Sequence, residues 1–120
     1  MGIGDPHPTE GLRNLYLEQL KALLAQDRGL VDEMKSGRTD RDVLARLCGD
    51  ARSLRGDAAE FGLPRVSEIG SAVEALLVEF LSAPGRKDAD ERSVVDALDS
   101  ALRAIGDEVT RAEGRPAGSA

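Results

Sequence analysis

Apolar residues recur every three or four positions along most of the chain, and this spacing predicts α-helices. The first predicted helix has Thr9 as its N-cap and one broad apolar face made of Leu12, Leu15, Tyr16, Leu20, Leu23 and Leu24. A shorter stretch follows with further apolar residues at helical spacing, namely Leu30, Val31 and Met34. It predicts an additional short helix or a helical extension near residues 27–36, ending at Ser36 and Gly37.

Two more helices are predicted in the middle of the chain. The second helix runs from near Thr39 to about Phe61, with an apolar stripe at Leu44, Leu47, Ala51, Leu54, Ala58 and Phe61. Gly62 is expected to end it, and Pro64 suits the first turn of the third helix. The stripe of the third helix consists of Val66, Ile69, Val73, Leu76 and Phe80. That helix is predicted to end at the sequence Ala-Pro-Gly, residues 83–85.

The last helix is predicted to begin where Asp88 and Glu91 resemble a capping box. Its apolar stripe consists of Val94 or Val95, Leu98, Ala101, Leu102, Ile105 and Val109. Four amphipathic helices with short connections predict an all-α fold, an antiparallel up-down four-helix bundle with the extra helical segment near 27–36. We expect the bundle to span residues 9–112, between flexible tails at 1–8 and 113–120.

Composition narrows the possible partners. The chain has 120 residues, enough for one domain, and a formal charge of −6 with no Trp, one Tyr and two Phe. Excess negative charge and few aromatic rings argue against nucleic-acid binding. No apolar run approaches the roughly 20 residues that a bilayer requires, and the N-terminus lacks the pattern of a secretion signal. With one cysteine, Cys48, we expect a cytoplasmic protein with no membrane partner.

The segment ARSLRGDAAEFGLPRVSEIGSAVEALL, residues 51–77, carries a specific pattern. It resembles the core motif of histidine-phosphotransfer (HPt) domains, which reads His-x-Leu-Lys-Gly-Ser, then small residues, then Phe-Gly and an amphipathic helix. The matching residues are Leu54, Gly56, Ala58, Phe61, Gly62, Leu63 and Glu74. Arg55 stands in place of the motif's lysine and Asp57 in place of its serine. A weaker likeness extends over residues 9–109.

The resemblance fails at the family's phosphoacceptor histidine, because Arg52 stands at that position. HPt domains relay phosphoryl groups between receiver-domain aspartates through an exposed imidazole. A protonated, delocalised guanidinium offers no lone pair for that chemistry. The resemblance therefore implies a non-phosphorylatable member of a bacterial two-component phosphorelay. Its expected partner is a response-regulator receiver domain or a hybrid histidine kinase, which it is expected to bind as an adaptor or inhibitor. The chain itself is expected to have no catalytic residue, cofactor or metal.

The resemblance also implies a partner-binding surface centred on Arg52, Arg55 and Gly56. A glycine inside a helix costs roughly 1 kcal/mol relative to alanine, and in the family the missing side chain lets the receiver approach closely. The exposed rim of this surface is expected to include Cys48, Ala59 and Glu60. Two simpler interpretations stay open. Gly56 would instead pack against a neighbouring helix, and the arginines would form a solvated face, paired with Asp50, Asp57 or Glu60.

Two other functions also stay open at this point. One is active phosphotransfer through a different residue, for which His7, the only histidine, would be needed; it lies between two prolines in the predicted tail. The other is a structural or oligomerising bundle in which Arg52 and Gly56 face a second copy. Cys48 lies one turn before Arg52, but no base or orienting partner for a nucleophile can be argued, which favours a partly buried small residue over a nucleophile. One histidine and one distant cysteine give no metal-ligand spacing.

Overall fold

The computed structural model describes residues 8–83 and 88–114, and the regular structure within them is entirely helical. The helices are α1 (Pro8–Ser36), α2 (Arg41–Glu60), α3 (Pro64–Ser82) and α4 (Asp88–Glu113). They form the predicted antiparallel four-helix bundle, in which α1 packs against α4 and α3 packs against both α2 and α4. His7, most of both predicted tails, and the side chains of Thr9 and Asp88 lie outside the described part.

The first helix is one long helix and not a helix followed by a separate short one. α1 continues without a break to Ser36, so the segment near 27–36 is a helical extension. The buried stripe continues along it through Leu20, Leu24, Val31 and Met34. Because apolar residues stay on one face across the junction, nothing in the packing favours a second helix start there.

The predicted apolar face of the first helix is wrong at Leu12 and Leu15, which are both exposed. Leu17, which the stripe omitted, is buried instead. Each residue turns a helix by about 100°, so the positions two and five residues before Leu17 point away from the core. Several leucines at mixed spacings allow more than one stripe, and packing against α4 selects the one through Leu17.

The connection between α2 and α3 is set by local chemistry. Gly62 has φ of +75°, a conformation that favours glycine. The amide of Leu63 donates to the carbonyl of Ala58 at 2.8 Å and that of Gly62 to Ala59 at 3.3 Å, which is a Schellman motif. Pro64 then begins α3, as predicted. At its other end, α2 has Asp40 as its N-cap, in agreement with the predicted start near Thr39.

Helices α2 and α3 approach each other closely at Gly70. A methyl group at Gly70 would lie 3.1 Å from both the carbonyl oxygen of Ala51 and the amide nitrogen of Arg55. At Gly56, in contrast, a methyl group would meet nothing within 4 Å. The interpretation that Gly56 packs against a neighbouring helix is therefore wrong, and that role belongs to Gly70.

These two glycines predict opposite effects of the same substitution. Gly56→Ala should raise the free energy of unfolding by about 0.5–1 kcal/mol, because alanine is the better helix former and the space is open. Gly70→Ala should lower it, because overpacking against backbone atoms, typically about 1–3 kcal/mol, outweighs the same gain. Urea unfolding of both variants beside the wild type measures this. Equal signs for the two variants would contradict the packing described.

Candidate functional site

Two arginines of α2 converge on one carboxylate of α3. Arg52 Nε lies 2.7 Å from Glu74 Oε2, and Arg55 Nη1 lies 2.8 Å from Glu74 Oε1. The arginine side chains are 65% and 50% exposed, whereas that of Glu74 is 12% exposed. Arg52 and Arg55 are three residues apart on one helix flank, and the close approach at Gly70, one turn before Glu74, brings the carboxylate within reach of both.

This arrangement fixes the charge states of the cluster. The hydrogen bond from Arg52, together with the charge of Arg55, lowers the pKa of Glu74 despite the opposing effect of burial. The hydrogen bond to Glu74 raises the pKa of Arg52 above its already high value. Arg52 is thus protonated at any physiological pH. Two guanidinium groups share one carboxylate, which leaves one net positive charge on the surface.

The arginines do not pair as the solvated-face interpretation predicted. Among the described residues, both form their ion pairs with Glu74, so the expected pairing with Asp50, Asp57 or Glu60 is wrong. A contact to α3 depends on how the two helices are aligned, which the spacing along α2 does not show.

Small residues lie before and after Arg52 along the exposed face of α2. We call this the α2 stripe: Ala45, Gly49, Arg52, Gly56 and Ala59, which are all exposed. They follow one another at steps of four, three, four and three residues and so share one side of the helix. At Gly49, as at Gly56, a methyl group would meet nothing within 4 Å. Arg52 is the one long side chain within the α2 stripe, whose other members are glycine and alanine.

Ala45 and Gly49 were not among the predicted contact residues, although their spacing in the sequence is a signal for them. Gly49 precedes Gly56 by seven residues, or two helical turns, and Ala45 precedes Gly49 by one turn. On the neighbouring flank of α3, Val78 is exposed and follows Glu74 by one turn. The surface therefore combines a positive centre, small residues and one apolar side chain.

The expected rim of the surface is only partly exposed. Ala59 and Glu60 are exposed as predicted, but Cys48 is buried, with 8% of its surface accessible. Its sulfur lies 4.0 Å from the carbonyl oxygen of Glu74, because this side of α2 turns toward α3. The expectation that Cys48 is an exposed contact residue is wrong.

Within residues 8–83 and 88–114, no three His, Cys, Asp or Glu side chains come together as a potential metal site. Nor does any helix in the same ranges have the length and apolar character to cross a bilayer. The chain matches no protein-family model, no curated protein and no solved structure.

Removing the charge of Glu74 should reveal how much the arginine cluster stabilises the bundle. Glu74→Gln should lower the urea midpoint at neutral pH more than the control Glu68→Gln, because Glu68 is a well-exposed partner of Arg65 alone. Since the pKa of Glu74 is lowered in the folded state, its contribution to stability is present at pH values above the ordinary glutamate pKa of 4.5. It is lost as the pH falls through the lowered pKa.

The difference between the urea midpoints of the wild type and of Glu74→Gln should accordingly disappear in acid. A midpoint for Glu74→Gln equal to that of the wild type at neutral pH would show that the cluster adds no stability.

Proposed function

We propose that this chain is a non-phosphorylatable HPt-like protein of a bacterial two-component phosphorelay. It binds a receiver domain, free or within a hybrid histidine kinase, and acts as an adaptor or inhibitor. The observation that supports this best is the exposed Arg52, held beside an unobstructed stretch of backbone at Gly56. These are the two positions at which the resemblance to HPt domains places the acceptor and the approach of the receiver.

The charge of the surface suits such a partner. Receiver domains gather acidic residues around their phosphorylatable aspartate, and the α2 stripe presents a net positive centre in a chain of charge −6. Opposite charges across an interface set the orientation and the rate of association. Glu74 holds both guanidinium groups in place before binding, which reduces the side-chain entropy lost on association.

The chemistry of the surface is compatible with binding and not with phosphoryl transfer. Arg52 has no lone pair to attack an aspartyl phosphate. Cys48, the nucleophilic side chain one turn away, is buried beneath the α2–α3 contact. The protein would occupy the receiver surface that a phosphotransfer partner uses, and thereby scaffold or block the relay.

Binding to purified receiver domains from the same cell tests the proposal. Gly56→Gln, which places a long side chain on the open part of the α2 stripe, should weaken binding about tenfold or more, equivalent to about 1.4 kcal/mol. The matched control is Gly29→Gln, since Gly29 also lies inside a helix with open space around it but on α1. Arg52→Ala should weaken binding and reduce its salt dependence.

Calorimetry with each receiver gives the dissociation constants, and sedimentation gives the oligomeric state. Absence of binding to every receiver would refute the proposal. A wild-type dimer that Gly56→Gln converts to a monomer would assign the α2 stripe to a second copy instead.

Restoring the histidine tests the relation to phosphotransfer directly. Arg52→His should accept a phosphoryl group from a phosphorylated receiver, giving an acid-labile label, whereas wild type and Arg52→Ala should stay unlabelled. The negative charge of Asp57 opposes an incoming phosphoryl group, so Arg52→His with Asp57→Ser should be labelled faster. A labelled wild type that loses its label in His7→Ala would establish active phosphotransfer and overturn the proposal.

A further inference from the structure

Asp27 of α1 is the most unusual polar residue in the interior of the bundle. It is 2% exposed, and it is the one buried polar or charged residue among those that the structure describes. Its carboxyl group lies within hydrogen-bonding reach of Asp50 on α2. Asp27 Oδ1 and Asp50 Oδ2 are both buried without a hydrogen-bond partner in the described structure. A buried carboxyl group and a half-buried one therefore lie together with too few hydrogen-bond donors for both to be ionised.

A small cavity adjoins Asp27 in the core. Its volume is about 20 Å³, which is space for about one water molecule. A buried water needs at least two polar partners, but every lining side chain except that of Asp27 is apolar, including Leu47, Leu54, Val73, Leu98 and Ile105. Asp27 thus faces an apolar space that cannot compensate a negative charge.

We propose that Asp27 and Asp50 form a proton-binding site between α1 and α2. The site takes one proton from solvent and holds it between the two carboxyl groups, with the Asp27 hydroxyl donating to the Asp50 carboxylate. Release of the proton leaves two facing carboxylates on neighbouring helices. This proposal is independent of the proposed function.

The groups on α1 and α2 that face the pair favour a bound proton. On α1, the residues one turn before and after Asp27 are apolar: Leu23, Leu24, Leu30 and Val31. On α2, the charged neighbours are Asp50 and Arg46. Burial, reinforced by the hydrogen bond and charge of Asp50, raises the pKa of Asp27 to about 7, although Arg46 opposes this.

Helices α3 and α4 contribute no counter-charge. The residues that they place around the cavity are apolar. Of the charges next to them in sequence, Glu74 on α3 is paired with two arginines of α2. On α4, Asp99 is paired with Lys35 and Arg103. Among the described residues, Arg46 is thus the one cation that acts on Asp27.

The sign of the resulting pH dependence follows from linkage. The pKa of Asp27 is about 7 in the folded chain against an ordinary value of 3.8. Between these values the folded state binds more protons than the unfolded state, so stability falls as the pH rises. The contribution of the bound proton to stability is complete below about pH 3.8 and is lost above about pH 7, where α1 and α2 carry facing negative charges. Over this interval each pH unit changes the unfolding constant by up to about tenfold.

Urea unfolding between about pH 5 and about pH 8 tests the linkage. His7→Asn serves as the background, because histidine is the residue type whose ordinary pKa falls in this pH range. The midpoint of this protein should fall as the pH rises. Adding Asp27→Asn, whose amide can donate to Asp50 as the protonated acid does, should remove the slope. Adding Asp32→Asn, an exposed aspartate on the same helix, should leave it unchanged.

Carbon-13 NMR of the wild-type side-chain carboxyl groups gives a second measurement that needs no folded variant. The Asp27 carboxyl signal should titrate with a midpoint near pH 7. Titration of Asp27 in the ordinary aspartate range, or a slope that persists in a folded Asp27→Asn protein, would overturn the proposal.

Discussion

The distance between α2 and α3 is the constraint on which the candidate surface depends. Only a hydrogen atom at Gly70 allows the backbones to approach as they do, since a methyl group would lie 3.1 Å from atoms of Ala51 and Arg55. One turn later on α3, Glu74 is consequently near enough to pair with two arginines at once. The positive centre on α2 is therefore a product of helix packing, and it would change if the helices moved apart.

The other side of α2 is joined to the bundle differently. α1 packs closely along α4 and lies farther from α2, so long side chains bridge the gap. Tyr16 stacks on Phe61 with ring centroids 4.8 Å apart, and its buried hydroxyl has no hydrogen-bond partner. Burial, followed by the charge of Asp57, raises the pKa of Tyr16 to about 12. Among the described residues, the buried side-chain atoms without a hydrogen-bond partner belong to Tyr16, Asp27 and Asp50, which lie on α1 and α2.

Residue spacing was enough to predict the four helices and the turn at Gly62, because both follow from local geometry. It was not enough to select the buried face where leucines were plentiful, as at Leu15. Residue spacing could not distinguish a solvent-facing glycine from Gly70, nor could it pair Glu74 with two arginines. Both features depend on which helices pack together and on their relative axial positions. Asp27 is an intermediate case. Its place between Leu24 and Val31 on the buried stripe was visible in the sequence, but its partner was not.

The glycines of the α2 stripe also bear on how the helix behaves within the bundle. Gly49 and Gly56 each weaken α2 by roughly 1 kcal/mol relative to alanine, and neither contacts anything that would require a glycine. The outward side of α2 thus adds little intrinsic helicity, and the helix is maintained by its inward contacts. A partner that covers those two positions would shield their peptide groups from water and so stabilise the middle of α2 against local opening.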